Sequence, residues 1–189
     1  IHDAMYKVFG ANFVPAGIAP SKFVRPDPEK FEHIISELAE ISDFVLLDSP
    51  AGVGRDTLMT LSASKEAILI LTPEPMAAAD AYKTKLAADR ANCDLTGIVI
   101  NMVKGTKEEM KPNEIASLLE GEVIGIIPED PVIRRSTAEG KPAVKFYPDC
   151  PAAVEISRIA AKLAGVEFKK PKPKASLISR ILSIFKRKR

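Results

Sequence analysis

Four runs of nearly unbroken apolar residues recur along the chain, at 44–48, 67–71, 97–101 and 123–127. A strand with one wet face alternates apolar and polar residues, whereas a continuous run marks a strand covered on both faces, as in a parallel sheet. Residues 12–15 read as a further short strand. Between these runs the apolar positions take helical spacing. Phe31, Ile34, Ile35 and Leu38 share one face of a helix over Pro28–Glu40, with Asp27 as N-cap and Pro28 at its first position. Residues 57–64, 76–91, 112–120, 131–139 and 152–164 read as helices in the same way. The alternation predicts an α/β fold, a doubly wound and mostly parallel sheet with right-handed crossovers. In such sheets ligands bind beyond the carboxyl ends of the strands.

The pattern breaks at Lys169-Lys170-Pro171-Lys172-Pro173-Lys174, where alternating Lys and Pro cannot continue a helix. The chain thus divides into a domain over 1–168, a stiff basic linker over 169–175 and a short amphipathic helix over 176–189. In that helix Leu177, Ile178, Ile181, Leu182 and Phe185 fall on one stripe, while Arg180 and Lys186 lie among the serines of the opposite face. It is too short to span a bilayer and suits an in-plane position at the interface.

Charge sharpens this reading. Nine of the 27 basic residues and none of the 25 acidic ones fall in 169–189, so a body of net −7 carries a basic tail in a chain of net +2. That asymmetry points to an anionic surface met by the tail alone. The apolar stripe favours a membrane over nucleic acid, because binding a phosphate backbone needs the charges but not the large aliphatics. No run of eighteen uncharged apolar residues occurs, which excludes a spanning helix from the sequence pattern. Cys93 and Cys150 form no CxxC pair and read as reduced thiols. His2 and His33 are too few for a histidine-based metal site and read as solvated. The chain opens on Ile1 rather than Met, which suggests a start partway through a longer protein.

The most informative string is Phe44-Val-Leu-Leu-Asp48-Ser-Pro-Ala-Gly52. An apolar strand ending in Asp delivers a carboxylate to the place where it can orient the water shell of a phosphate-bound Mg²⁺. A following glycine lets the backbone approach a phosphate closely. An Asp at this place also reads as an ordinary helix cap. The segment resembles the switch II region of the MinD branch of the ParA/MinD ATPases. Further similarities follow in order: Thr72-Pro73-Glu74-Pro75, Ile100-Asn101, Ile126-Ile127-Pro128-Glu129-Asp130, Arg134-Arg135-Ser136 and Gly140-Lys-Pro142. For Asp130 a second reading holds alongside, an N-cap with Pro131 at the first helical position.

The resemblance implies an ATPase using ATP and Mg²⁺. Asp48 would hold the Mg²⁺ through its bound water, Gly52 would sense the γ-phosphate, and Asn101, Pro128 and Asp130 would frame the adenine. It further implies an ATP-bound homodimer, an anionic membrane surface reached through the tail, a regulatory protein partner, and a cytoplasmic protein peripheral on the inner face of the cell membrane. The implied role is spatial regulation such as division-site placement. The alternatives are a ParA-like partition ATPase with nonspecific DNA binding, or a non-enzymatic membrane-tethered adaptor. One departure stands out: no GxxxxGK[ST] loop occurs in these residues. The fold is therefore expected to miss its N-terminal strand and P-loop, and the chain alone to bind ATP poorly and hydrolyse none.

Overall fold

The structure, a computed structural model, describes residues 4–15 and 27–170. The chain begins with an antiparallel hairpin of β1 (Tyr6–Val8) and β2 (Ala11–Phe13), paired Tyr6 to Phe13 and Val8 to Ala11. Phe9 and Gly10 form its two-residue turn with φ of 52° and 97°, which a glycine at the second position accommodates. Helix α1 follows (Pro28–Glu40), and Asp27 caps it as its sequence predicts by accepting from the Glu29 amide at 3.2 Å. Next come α2 (Arg55–Ser62), β3 (Glu66–Leu71), α3 (Pro75–Arg90), β4 (Asp94–Val103), α4 (Pro112–Leu119), β5 (Val123–Pro128), α5 (Pro131–Ala138), α6 (Ala143–Phe146) and α7 (Pro151–Leu163).

Strands β3, β4 and β5 form a parallel sheet in that order, with Leu71 opposite Ile100 and Ile100 opposite Ile126. Leu69, Leu71, Ile98 and Ile100 pack with Ala78 and Ala81 of α3 and Ile115 and Leu119 of α4 into the main core. Helix α7 lies against β5. The approach is close at Gly125, where an added Cβ would stand 2.3 Å from Ile159 side-chain atoms. A smaller cluster joins Leu61 of α2 to Ala87, Ala88 and Cys93, with Ala67 packed against it. The parallel sheet and the helix boundaries to within two residues thus follow the sequence pattern, whereas the expected apolar face of α1 (Phe31, Ile34, Ile35 and Leu38) holds no buried residue.

Three elements depart from it. Residues 44–48, expected as a strand, run without strand pairing among the described residues, with Phe44 62% and Leu46 85% exposed. A continuous apolar run reports the burial a strand would require but does not supply a hydrogen-bonding neighbour, and none flanks this segment among the described residues. The expected strand at 12–15 is found at Ala11–Phe13, in the hairpin instead of the parallel sheet. Helix α6, four residues long, has no periodic signal in the sequence, being too short to display one.

Candidate functional site at the carboxyl ends of the strands

Helix α2 carries Leu61 beside Ala67 and Cys93, residues at the amino ends of β3 and β4. An eight-residue helix is about 12 Å long, and its opposite end, capped by Gly54, leads back to the Asp48–Gly52 segment. The loop is tied to the first turn of α2 by Thr57, 2% exposed, whose hydroxyl donates to the Pro50 carbonyl at 3.1 Å. Asp48 is exposed, and Gly52 takes a φ of 86° with nothing within 4 Å of the place a Cβ would occupy. That backbone is open to close approach by a ligand, as a phosphate contact requires.

Asn101 stands near the end of β4, half-buried, and its Oδ1 accepts the Met102 amide at 2.9 Å. This bond fixes the carboxamide plane and leaves its NH₂ as the donor. Met102 itself takes a φ of 59°, and the strand re-forms at Val103, which pairs with Pro128 of β5. The Glu129 amide then donates to the Val103 carbonyl at 2.9 Å. Asn101 and the Pro128–Asp130 loop are therefore held on neighbouring strand ends. The Thr72–Pro75 loop joins them, since the Met110 amide donates to the Pro73 carbonyl at 2.8 Å. Glu109 stiffens the β4–α4 loop, to which Met110 belongs, by accepting from the Lys104 and Gly105 amides, each at 2.8 Å.

Beside Pro128 opens a cavity of about 490 Å³ with walls of Val103, Ile126, Pro128, Pro151 and Val154, and charged groups from Asp149, Glu155, Arg158 and Lys170. Apolar walls with a few polar groups are the usual lining of a small-molecule site. Pro151, Glu155 and Arg158 escaped the sequence reading. The available signal was Cys150-Pro151, which repeats the cap-then-proline start of Asp130-Pro131. Cys150, buried, has its thiol pKa pushed up, first by burial and further by a hydrogen bond to Asp130 against an opposing backbone bond from Ala153. Behind α5, the buried Ser136 hydroxyl donates to the Lys141 carbonyl. Arg135 stacks on Tyr147 at 4.7 Å, and the Tyr147 hydroxyl donates to Glu139 at 2.9 Å. Lys141 first and Tyr147 next hold the Glu139 carboxyl below its usual range. Leu177, Ile178, Arg180, Ile181, Leu182, Phe185 and Lys186 lie outside the described residues.

A parallel sheet with helices packed on it, and the Thr72–Pro75, Lys104–Met110 and Pro128–Asp130 loops at its carboxyl ends, is a doubly wound α/β arrangement of the kind that binds ligands at those ends. The family model ParA, described as NUBPL iron-transfer P-loop NTPase, matches residues 35–164. An uncharacterised ATP-binding protein of Methanocaldococcus jannaschii is 37% identical over 185 residues, 96% of this chain and 70% of that protein. The chain spans 64% of a second relative from the same organism, at 29% identity over 88% of this chain. Among solved structures, the cell division ATPase MinD of Pyrococcus furiosus superposes with a TM-score of 0.80 at 28% identity, over 87% of this chain and 70% of that one. The septum site-determining protein MinD of Pyrococcus horikoshii, complexed with Mg-ADP, gives 0.79 at 28% identity over 86% of this chain and 68% of that one. The chain belongs to the ParA family of P-loop NTPases and is MinD-like within it.

Proposed function

We propose that this chain supplies the base-binding and switch half of a MinD-like, membrane-recruited ATPase involved in spatial regulation such as division-site placement. The observation that carries the reading is the pairing of Val103 with Pro128, which sets Asn101 and the Pro128–Asp130 loop on neighbouring strand ends, with Val103 and Pro128 also walls of a cavity of mixed apolar and charged lining. The solved relative of P. horikoshii is complexed with Mg-ADP, and the residues here fit such a group. Asn101 offers its NH₂ as donor to an adenine ring nitrogen, Pro128 supplies an apolar wall, Gly52 leaves open backbone for a phosphate, and Asp48 presents an exposed carboxylate. Mg²⁺ bound to the phosphates would neutralise charge developing on transfer, with Asp48 orienting its water shell.

In this reading ATP and Mg²⁺ drive dimerisation of the whole protein, and the tail turns that dimer into membrane occupancy. One amphipathic foot with Leu177, Ile178, Ile181, Leu182 and Phe185 binds weakly, and two feet on a dimer gain avidity. Arg180, Lys186 and the terminal basic residues face anionic headgroups, at roughly 1 kcal/mol per charge near the surface. A regulatory protein partner and a location on the inner face of the cell membrane belong to the same reading.

The base site is tested without phosphates. Adenosine titrated into the isotope-labelled chain shifts the amides of Asn101, Ile127 and Glu129 in NMR spectra, and Asn101→Ala weakens the effect. Spectra in which those three amides ignore millimolar adenosine reject the base site.

A further inference from the structure

Asp130 does more than begin a helix. Its Oδ1 accepts the Val132 amide at 2.9 Å, capping α5, and its Oδ2 accepts the Ala152 amide at 3.3 Å, capping α7. A carboxylate has about four acceptor positions, and two of them, one on each oxygen, are committed to helix-start amides. Two helix starts, at Pro131 and Pro151, thus share one side chain, and each opens with a proline. The prolines lack an amide to cap, which leaves the second residue of each helix as the donor that Asp130 meets.

The consequence is geometric. Pro128 lies two residues before Asp130, and Pro151 immediately before Ala152, and both prolines are walls of the 490 Å³ cavity. Glu129 is anchored in turn to Val103, a third wall. We infer that Asp130 is a positioning residue: its carboxylate bridges α5 and α7 and sets the separation of the Pro128 and Pro151 walls, so that the cavity is preformed for a planar purine base. This rests on the base site proposed above but gives Asp130 a different part, since it acts through two prolines and not by touching the base.

Asp130→Asn separates the two caps. Asparagine caps a helix as well as aspartate does, so its oxygen keeps the Val132 bond. Its second group is an NH₂, which cannot accept from Ala152. Asp130→Ser provides a second variant, again a good N-cap but with a single short oxygen. The measurements on the 189-residue chain are amide hydrogen exchange at Val132 and Ala152 and adenosine binding by NMR titration. In both variants Ala152 exchange rises about tenfold, the equivalent of one lost hydrogen bond near 1.4 kcal/mol, while Val132 keeps its protection. Adenosine affinity falls several-fold as the walls separate, and Asp27→Asn, at the cap of α1, changes neither reading. Unchanged adenosine affinity in both variants, with the parent chain binding normally, overturns the positioning role alone. Failure of the parent chain to bind adenosine overturns the base site and this inference with it.

Discussion

Thr57 shows how one side chain can hold a functional loop. Its hydroxyl is buried and donates to the Pro50 carbonyl, in the middle of the segment that runs from Asp48 to Gly52. Thr57→Val keeps the shape and removes the donor, leaving a carbonyl unsatisfied. The expected cost is about 1 kcal/mol, read as a lower urea midpoint at unchanged slope, together with faster proteolysis at the Ala51–Val53 peptide bonds. The two cysteines make a second residue-scale case. Both are buried, and burial is the largest cause of the raised pKa of each thiol. A raised value means that the folded state holds the proton more tightly than the unfolded chain. Their contribution to stability is therefore complete below the ordinary thiol pKa and is lost as pH rises above it. Iodoacetamide at pH 8 is expected to label neither cysteine rapidly in the native chain and both in denaturant. Rapid native labelling of Cys150 would show that the α7 start is open.

Among the elements, the contact between α7 and β5 depends on an absent side chain. Gly125 leaves room for Ile159, and a Cβ there would stand 2.3 Å from its Cγ1 and Cδ1. Gly125→Ala forces Ile159 off its rotamer or moves α7, at about 1–3 kcal/mol. The thermal midpoint reports this cost, and an unchanged midpoint would mean that α7 is not packed against β5 as described. Legibility in the sequence also varies by element. Helices α1, α4, α5 and α7 begin at a proline, a local chemical signal, so their starts are readable without knowing what they pack on. The run at 44–48 is the opposite case. Its apolar residues match those of β3, yet only a neighbouring strand turns such a run into part of a sheet, and neighbours are not encoded locally.

For the whole molecule, the proposed function links nucleotide state to membrane occupancy. The tail test is separable from the rest. Full chain mixed with liposomes containing anionic lipid sediments with them more than with neutral ones, and Leu182→Glu on the apolar stripe abolishes the difference. Equal sedimentation of parent and variant would remove the membrane from the proposed function while leaving the base site intact. No helix among the described residues is long and apolar enough to cross a membrane.

The order of apolar runs and helical stripes by itself determined the parallel α/β sheet, the places of Asn101 and Pro128 near strand ends and that of Asp130 at a helix start. These follow from periodicity and capping, which act over a few neighbouring residues. Only the tertiary structure decided that Asp130 serves two helices, that Pro151 faces the same cavity as Pro128, and that Thr57 holds Pro50. Each of those contacts joins residues brought together by packing across the sheet or around a loop, and no local pattern records which distant amide or hydroxyl will arrive there.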